Sequence, residues 1–324
     1  MELSKKTDTN VVIKKDVNKK KITWDKIKKQ WVLIAMSFPF VIWLIAFKYA
    51  PLFGWTMAFQ NYKPQLSFFE QEWVGFKHFI DLFNEPLFYA SLKNTLGMSL
   101  LGLIFGTGAA IIFALLLNEL KFTRFKKVVQ TVSYLPHFIS WVVVATIVTK
   151  VLANTGILNE ALMKFNIISQ PINFMSNPNM FWGIVTASDV WKEMGWNAII
   201  YLAAMTAIDP ELYEAAKVDG AGRIRRMFSI TLPLIKSTIL VLLIMSIGNL
   251  LNIGFEKQML LGNPIVSTKS LVLDKYALDY GIGMFRYSFG TAIGIFKSVV
   301  GIILIFIANK VSKKFNDGEG SLFK

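Results

Sequence analysis

The chain has no cysteine, only two histidines, and 21 acidic residues against 35 basic ones in a length of 324. Without cysteine there is no disulfide, no thiolate nucleophile and no cysteine metal site. His78 and His137 fall in different segments, so a histidine-based metal site is not expected. No G-x-x-x-x-G-K-[ST] phosphate loop occurs; Gly290 to Ser298 has the wrong spacing and lies in an apolar run. Any ATP must therefore be handled by another chain. No compact constellation of carboxylates, histidines or metal ligands supports a membrane enzyme acting on a lipid-linked sugar.

What the chain has in excess is apolar sequence. Hydrophobic residues make up 54%, with 27 phenylalanines, and the mean hydropathy is +0.47. That is too apolar for an ordinary soluble domain of this size, so the solvent is a bilayer. A net charge of +14 would suggest nucleic acid only if the basic residues shared a water-exposed face of a soluble fold. Here they sit between apolar runs, and no nucleic-acid partner is expected.

Residues 1 to 30 hold ten lysines against four acids and read as a cytosolic basic tail, with a surface helix over Lys21 to Trp31. Six apolar spans follow, forming a permease domain over residues 31–309. They run from Trp31 into the fifties, kinked by Pro39 and Pro51; from Asn94 to Leu117; from Val128 to Leu152, kinked by Pro136; from Phe181 to Ala207; from Leu234 to Phe255; and from Tyr287 to Asn309. Each fits a hydrocarbon core of ~30 Å at ~1.5 Å per residue. Residues 310–324 form a basic C-terminal tail. With both termini inside, 23 basic side chains face the cytosol and nine the exterior, which supports an N-in, C-in arrangement. Glu70 to Glu85 is then external. Gly102-x-x-x-Gly106 offers a small-residue face, read as packing within the chain with subunit dimerisation as the alternative.

One polar stretch, Asp209 to Pro233, combines helix formers, a glycine turn, an arginine cluster and a proline. Asp209 is a candidate N-cap, Pro210 suits a first helical turn, and Glu211 lies near the positive end of the helix dipole. Asp219-Gly220 supplies the turn, and Gly220 can take positive φ. Arg223 to Ile230 allows a second short helix that Pro233 ends. The stretch is expected to be a helix-turn-helix knob.

Glu214-Ala215-Ala216, then Gly220, then Ile230-x-Leu232-Pro233 resembles the EAA loop of permease subunits of ATP-binding-cassette (ABC) importers. Tyr134 to Trp141 and Trp191 to Asn197 resemble the carbohydrate-uptake branch, particularly oligo- and polysaccharide permeases. The likeness runs from about Trp31 onward. It implies an all-α integral membrane protein of the bacterial plasma (inner) membrane, like a type I importer permease, with a cytosolic coupling helix between spans four and five. It further implies a second permease subunit, two cytosolic ATPase subunits that hold the ATP and Mg, an extracellular solute-binding protein, and no catalytic residues or cofactor in this chain. Glu214 would pair with a basic residue of the ATPase, Ala215 and Ala216 would allow close approach, and Asp219 with Gly220 would make the turn.

Asp189, Lys192 and Glu193 fall near the middle of the fourth span, where an unpaired ionisable group costs at least ~2.5–3.5 kcal/mol. Asp189 and Lys192, at i and i+3, are expected to pair. With Trp191, Trp196 and Asn197 they form either a polar wall of the translocation pathway or a structural ion pair. In the fifth span Asn249 and Asn252 face either a hydroxyl-rich solute or neighbouring helices. His137 is expected to cap backbone or pack, and Lys297 has both a structural and a pathway reading. An ABC permease for another solute, and an ion-gradient-driven transporter powered by the three charges, are the competing functions. The absence of an inverted internal repeat counts against the latter.

Overall fold

The computed structural model describes residues 24–315. Most of the N-terminal tail and the end of the C-terminal tail therefore lie outside the described residues. The chain divides into a leading unit, Met1–Phe53, and a main unit, Gly54–Lys324. In the leading unit a short helix, Trp24–Lys29, is followed by the start of α1 (Trp31–Phe59). Pro39 sits inside regular helix, and the backbone loosens to a π-helical turn at Ile45–Tyr49 and tightens to 3₁₀ geometry from Ala50, beside Pro51. No side chain from Trp31 to Leu44 is buried.

The main unit adds a two-stranded antiparallel ribbon, β1 (Gln60–Asn61) and β2 (Glu72–Trp73), that an all-helical expectation misses. In its connecting loop the Ser67 amide donates to Glu70 at 2.9 Å, and that bond holds the Glu70 carboxyl below its usual range. Then come α2 (Lys77–Asn84) and α3 (Pro86–Asn118), followed by α4 (Thr123–Phe138) and α5 (Trp141–Val151), which bend by 103° where Pro136 was expected to break the span. Next are α6 (Pro178–Thr206), α7 (Pro210–Val218), α8 (Arg223–Leu234) and α9 (Lys236–Gly248), the last two bent by 61°. The short α10 (Glu256–Leu261) and the long α11 (Tyr287–Phe315) follow, and shorter helical segments such as Ile157–Lys164 and Leu273–Tyr276 fill the connections.

Three of these helices, α1, α3 and α11, are long and apolar enough to cross a membrane, and each bent pair would add one crossing. That makes five at most by length and composition, where the sequence reading expects six. The remaining candidate is α6, whose 29 residues would extend about 43 Å at ~1.5 Å per residue. Length is not its difficulty. Asp189, Lys192 and Glu193 interrupt its apolar surface.

Helix α6 is nevertheless the one on which the core is built. Asn177 caps it, its side-chain oxygen accepting from the Asn179 amide at 3.0 Å, and Pro178 opens the first turn. Ala110, Ala114, Leu115 and Leu117 of α3 pack with Ala198, Tyr201, Leu202 and Met205 of α6 and with Ile235, the residue at the α8–α9 bend. The alanines let the two backbones approach closely. A second cluster joins Leu82, Phe88, Tyr276, Phe289 and Ile293; a third joins Met98, Ala145, Phe181, Val185 and Val272.

Two glycine sites differ in kind. A Cβ on Gly195 of α6 would fall 2.1 Å from the Ser133 carbonyl oxygen of α4, so the two helices cross here only because no side chain intervenes. A Cβ on Gly102 or Gly106 would meet nothing within 4 Å. The expected close packing through Gly102-x-x-x-Gly106 is thus absent from this chain. These residues form a π-helical turn instead. Gly195→Ala is therefore expected to cost ~1–3 kcal/mol by overpacking, read as a lowered melting temperature of the detergent-purified protein. Gly106→Ala is expected to leave that temperature unchanged, and equal shifts would refute the assignment.

Candidate functional site

Two places concentrate polar residues that an apolar chain has little other reason to keep. The first is a cavity of about 410 Å³ between α3, α6, α9 and α10, within the size range of small-molecule sites. Helix α6 offers one face to it at helical spacing: Thr186, Asp189, Asn197 and Tyr201. Helix α3 contributes Ser99, Thr107 and the bare backbone of Gly102 and Gly106; α9 and the turn after it contribute Ser246 and Asn249; α10 contributes Lys257. These hydroxyls, amides and one charge pair are set in a wall that is otherwise apolar, with Leu103, Val185, Ile200, Leu242 and Met245 among its lining.

That pair is not the expected one. Asp189 Oδ2 lies 2.5 Å from Nζ of Lys257, 68 residues further on, and not against Lys192. Lys192 turns the other way. Its buried ammonium donates to the His137 carbonyl at 2.6 Å and sits 3.1 Å from Glu193 Oε1. Glu193 Oε2 lies 2.7 Å from His137 Nδ1, and the His137 ring stacks on Trp196 with centroids 4.3 Å apart. The α4–α5 corner is thereby tied to the middle of α6. His137 packs as expected, but it also has a carboxylate partner that no spacing rule reveals across 56 residues.

The expected pathway residues therefore separate. Asp189, Asn197 and Asn249 line the main cavity. Glu193 reaches an adjoining recess of about 130 Å³ together with Asp189 and Asn197. Trp191 faces an apolar groove beside Ile147, Val148 and Leu152, and neither it nor Trp196 lines the main cavity. Asn252 does not line it either, because α9 stops at Gly248 and the chain turns through Asn249 to Asn252 before α10. Lys257, Thr186 and Tyr201 are lining residues that sequence reasoning missed. Thr186 and Tyr201 were legible on the face of α6 that carries Asp189 and Asn197; Lys257 gave no such signal. Lys297, for its part, is paired with Asp274, whose other oxygen accepts from the Gly254 amide.

The second place is the knob. Asp209 caps α7 by accepting from the Glu211 amide at 3.0 Å. At the other end Gly220, at φ +75°, lets its own amide reach the Lys217 carbonyl at 3.0 Å and the Ala221 amide reach that of Ala216 at 2.8 Å. This six-to-one and five-to-two pairing closes the helix end. The hydroxyls of Tyr213 and Thr231 meet at 2.9 Å, tying α7 to α8. Helix α8 runs through Pro233 to Leu234, one turn beyond the expected stop. A π-helical turn over Met227–Thr231 precedes the proline and relieves the clash that a regular helix would impose. Glu214 and Ala215 are exposed, as are Leu212, Ile224, Phe228 and Val218, the last at 89%. Arg226 of α8 lies 3.8 Å from Glu119, immediately after α3. The knob therefore connects directly to a cavity-lining helix.

The same arrangement of chain recurs in known proteins. Residues 102–317 match the family of binding-protein-dependent transport system inner membrane components. The chain is 45% identical over 308 residues, 95% of each chain, to the polygalacturonan/rhamnogalacturonan transport system permease protein YteP of Bacillus subtilis (strain 168). It is 31% identical to the arabinooligosaccharides transport system permease protein AraP of the same organism, over 87% of this chain and 88% of that one. Among solved structures, a chain of a bacterial ABC transporter involved in the import of the acidic polysaccharide alginate is 40% identical. It superposes with a TM-score of 0.81 over 90% of this chain and 99% of its own. With a cavity at the heart of the bundle, an exposed knob linked to it, and likeness over nearly its whole length, this chain belongs to the binding-protein-dependent transport system inner membrane component family.

Proposed function

We propose that this protein is the permease subunit of an ATP-driven carbohydrate importer of a bacterial plasma membrane, and that its cavity is half of the path for an oligo- or polysaccharide. The single observation that carries the reading is the full-length likeness to a polysaccharide permease, 45% identical over 95% of both chains. The hydroxyls and amides set into the cavity's largely apolar wall, with its one charge pair satisfied internally, suit a solute that presents both hydroxyl groups and apolar ring faces. In this reading α6 is a sixth crossing, both termini are cytosolic, and an external binding protein delivers the sugar. The chain has no catalytic residues and no cofactor. A second permease, of related but different sequence, completes the path, and two ATPase subunits supply ATP, Mg and hydrolysis.

The exposed knob is then where the ATPase acts. Glu214, Ala215 and Ala216 face the partner, Asp219 and Gly220 set the turn, and Ile230, Leu232 and Pro233 seat α8 against the bundle. Closure of the ATPase pair around ATP would displace α7. The Tyr213–Thr231 hydrogen bond passes that displacement to α8, and the Arg226–Glu119 contact passes it on to α3. ATP thereby biases the population of inward- and outward-facing states through differential contacts with the knob.

Glu214→Arg should abolish ATP-coupled uptake while the protein remains membrane-inserted. Gly220→Val should do the same, since a β-branched residue at positive φ costs ~1–3 kcal/mol of strain. Normal uptake by both variants would remove the coupling role. Because the chain lacks cysteine, single substitutions report its sidedness cleanly. Cysteine in place of Phe69 should react with a membrane-impermeant maleimide on intact cells, and cysteine in place of Val218 only after permeabilisation. The reverse pattern would invert the topology.

A further inference from the structure

The start of α4 and the turn leading into it carry charge that neither the cavity nor the knob uses. Lys121, Arg124 and Lys127 are exposed there, and among the described residues none of the three has a carboxylate partner. The acid nearest to them in sequence, Glu119, already faces Arg226 at 3.8 Å. Exposed apolar side chains run beside the cations: Phe122 at 79%, Phe125 at 57% and Val128 at 59%, continued one turn on by Val132. Arg124 and Lys127 are three residues apart, as are Phe125 and Val128, so each pair shares a face and the two pairs form adjacent rows. The other side of the helix is occupied by the bundle. Half-buried Val129 packs on the core of α3 and α6, and the Ser133 carbonyl crosses α6 at Gly195.

A cytosolic excess of cations accounts for the sign of this charge but not for its alignment beside an apolar row. That alignment is the surface of a helix at a bilayer boundary, with apolar groups in the acyl region and cationic heads at the phosphates. The bend supports the same placement. Helices α4 and α5 meet at 103°, so they cannot both run along the bilayer normal, and a slanted helix sets its side against the headgroups.

We propose that segment 121–128 is a docking surface for anionic phospholipid headgroups of the cytosolic leaflet, an inference that rests on the cytosolic placement of this turn in the topology proposed above. Arg124 offers a phosphate its two-pronged guanidinium, Lys127 a second donor on the same row, and Lys121 further charge at the turn. Phe122, Phe125 and Val128 enter the acyl boundary. Charge complementarity selects the occupant, because each cation at such a surface favours an anionic over a neutral bilayer by about fivefold. An acidic protein face would satisfy the cations but offer nothing to the apolar row. The lipids gathered here lie beside Glu119 and Arg226, the contact through which the knob reaches α3.

Because the chain lacks cysteine, V132C places a single bimane fluorophore one turn beyond the surface. The assembled importer so labelled would be reconstituted in phosphatidylcholine nanodiscs that contain spin-labelled phosphatidylglycerol or, at the same mole fraction, spin-labelled phosphatidylcholine. Quenching should report an apparent affinity about fivefold higher for phosphatidylglycerol at low salt, falling toward parity at about 0.5 M salt. Adding R124Q/K127Q should bring the two lipids within about twofold, whereas R124K/K127R should keep the preference. If R124Q/K127Q does not assemble, K121Q and the salt dependence carry the test, and a preference unmoved by both refutes the surface. Equal quenching by the two lipids with the cations intact overturns the proposal, as does a preference that survives R124Q/K127Q. Quenching by neither lipid means that protein covers the row, and overturns it as well. Nanodiscs expose both leaflets, so these outcomes do not depend on which side the turn faces. A reversed maleimide pattern with the lipid preference intact overturns the topology and not the lipid surface; no ATP-dependent uptake of any glycan overturns the importer reading alone.

Discussion

Everything in this structure answers to the absence of water in the hydrocarbon layer. A backbone or side-chain polar group there must find its partner inside the protein, because no solvent will supply one. Read as the proposed sixth crossing, helix α6 shows the constraint most plainly. Its three central charges reach out to two other parts of the chain: Asp189 to Lys257 on α10, and Lys192 and Glu193 to the carbonyl and ring of His137. Each contact satisfies a polar group and, in doing so, fixes where a neighbouring segment lies. Electrostatic satisfaction and tertiary architecture are here the same set of bonds, and the cavity is the space left where those bonds hold the helices apart.

Much of this was legible in the sequence. Long apolar runs located α1, α3 and α11, and Pro136 marked the α4–α5 corner because a tertiary amide and a 3₁₀ turn coincide there. Asp209, Pro210 and Gly220 located the knob by local chemistry alone: a capping carboxylate, a ring that presets φ, and a residue free to take φ +75°. What remained hidden depends on distant partners. The i, i+3 spacing of Asp189 and Lys192 suggested a local pair, yet the two side chains leave the helix in different directions, and Lys257 is 68 residues away. Spacing on a helix says which groups are able to meet, and tertiary packing decides which do. The same holds for Gly102 and Gly106, whose pattern matches a contact motif but whose bare backbone faces open space. Pro233 misled for a local reason, since the π-helical turn before it lets the helix continue.

The knob and the cavity lie on different segments, and the route between them is short. Tyr213 to Thr231, then Arg226 to Glu119, spans the distance from the exposed helix to the end of α3. Neither contact is strong in itself: a neutral hydroxyl–hydroxyl hydrogen bond contributes about 0.5–1.5 kcal/mol, and an ion pair of partial exposure on the order of 1 kcal/mol or less. Their value is geometric. They restrict how α7 can move without α8 and α3 moving as well, which is what a transport protein needs from a surface loop.

The bend between α8 and α9 has a consequence for how force travels. Its corner residue, Ile235, is 1% exposed and sits in the core formed by α3 and α6. An elbow whose joint is packed into the core resists sliding, so in the proposed coupling role a displacement of one arm would be felt by the other. In the coupling role proposed for the knob, the 61° angle would turn a displacement of α8 into rotation of α9, the segment that carries Ser246 to the cavity wall with Asn249 just beyond it.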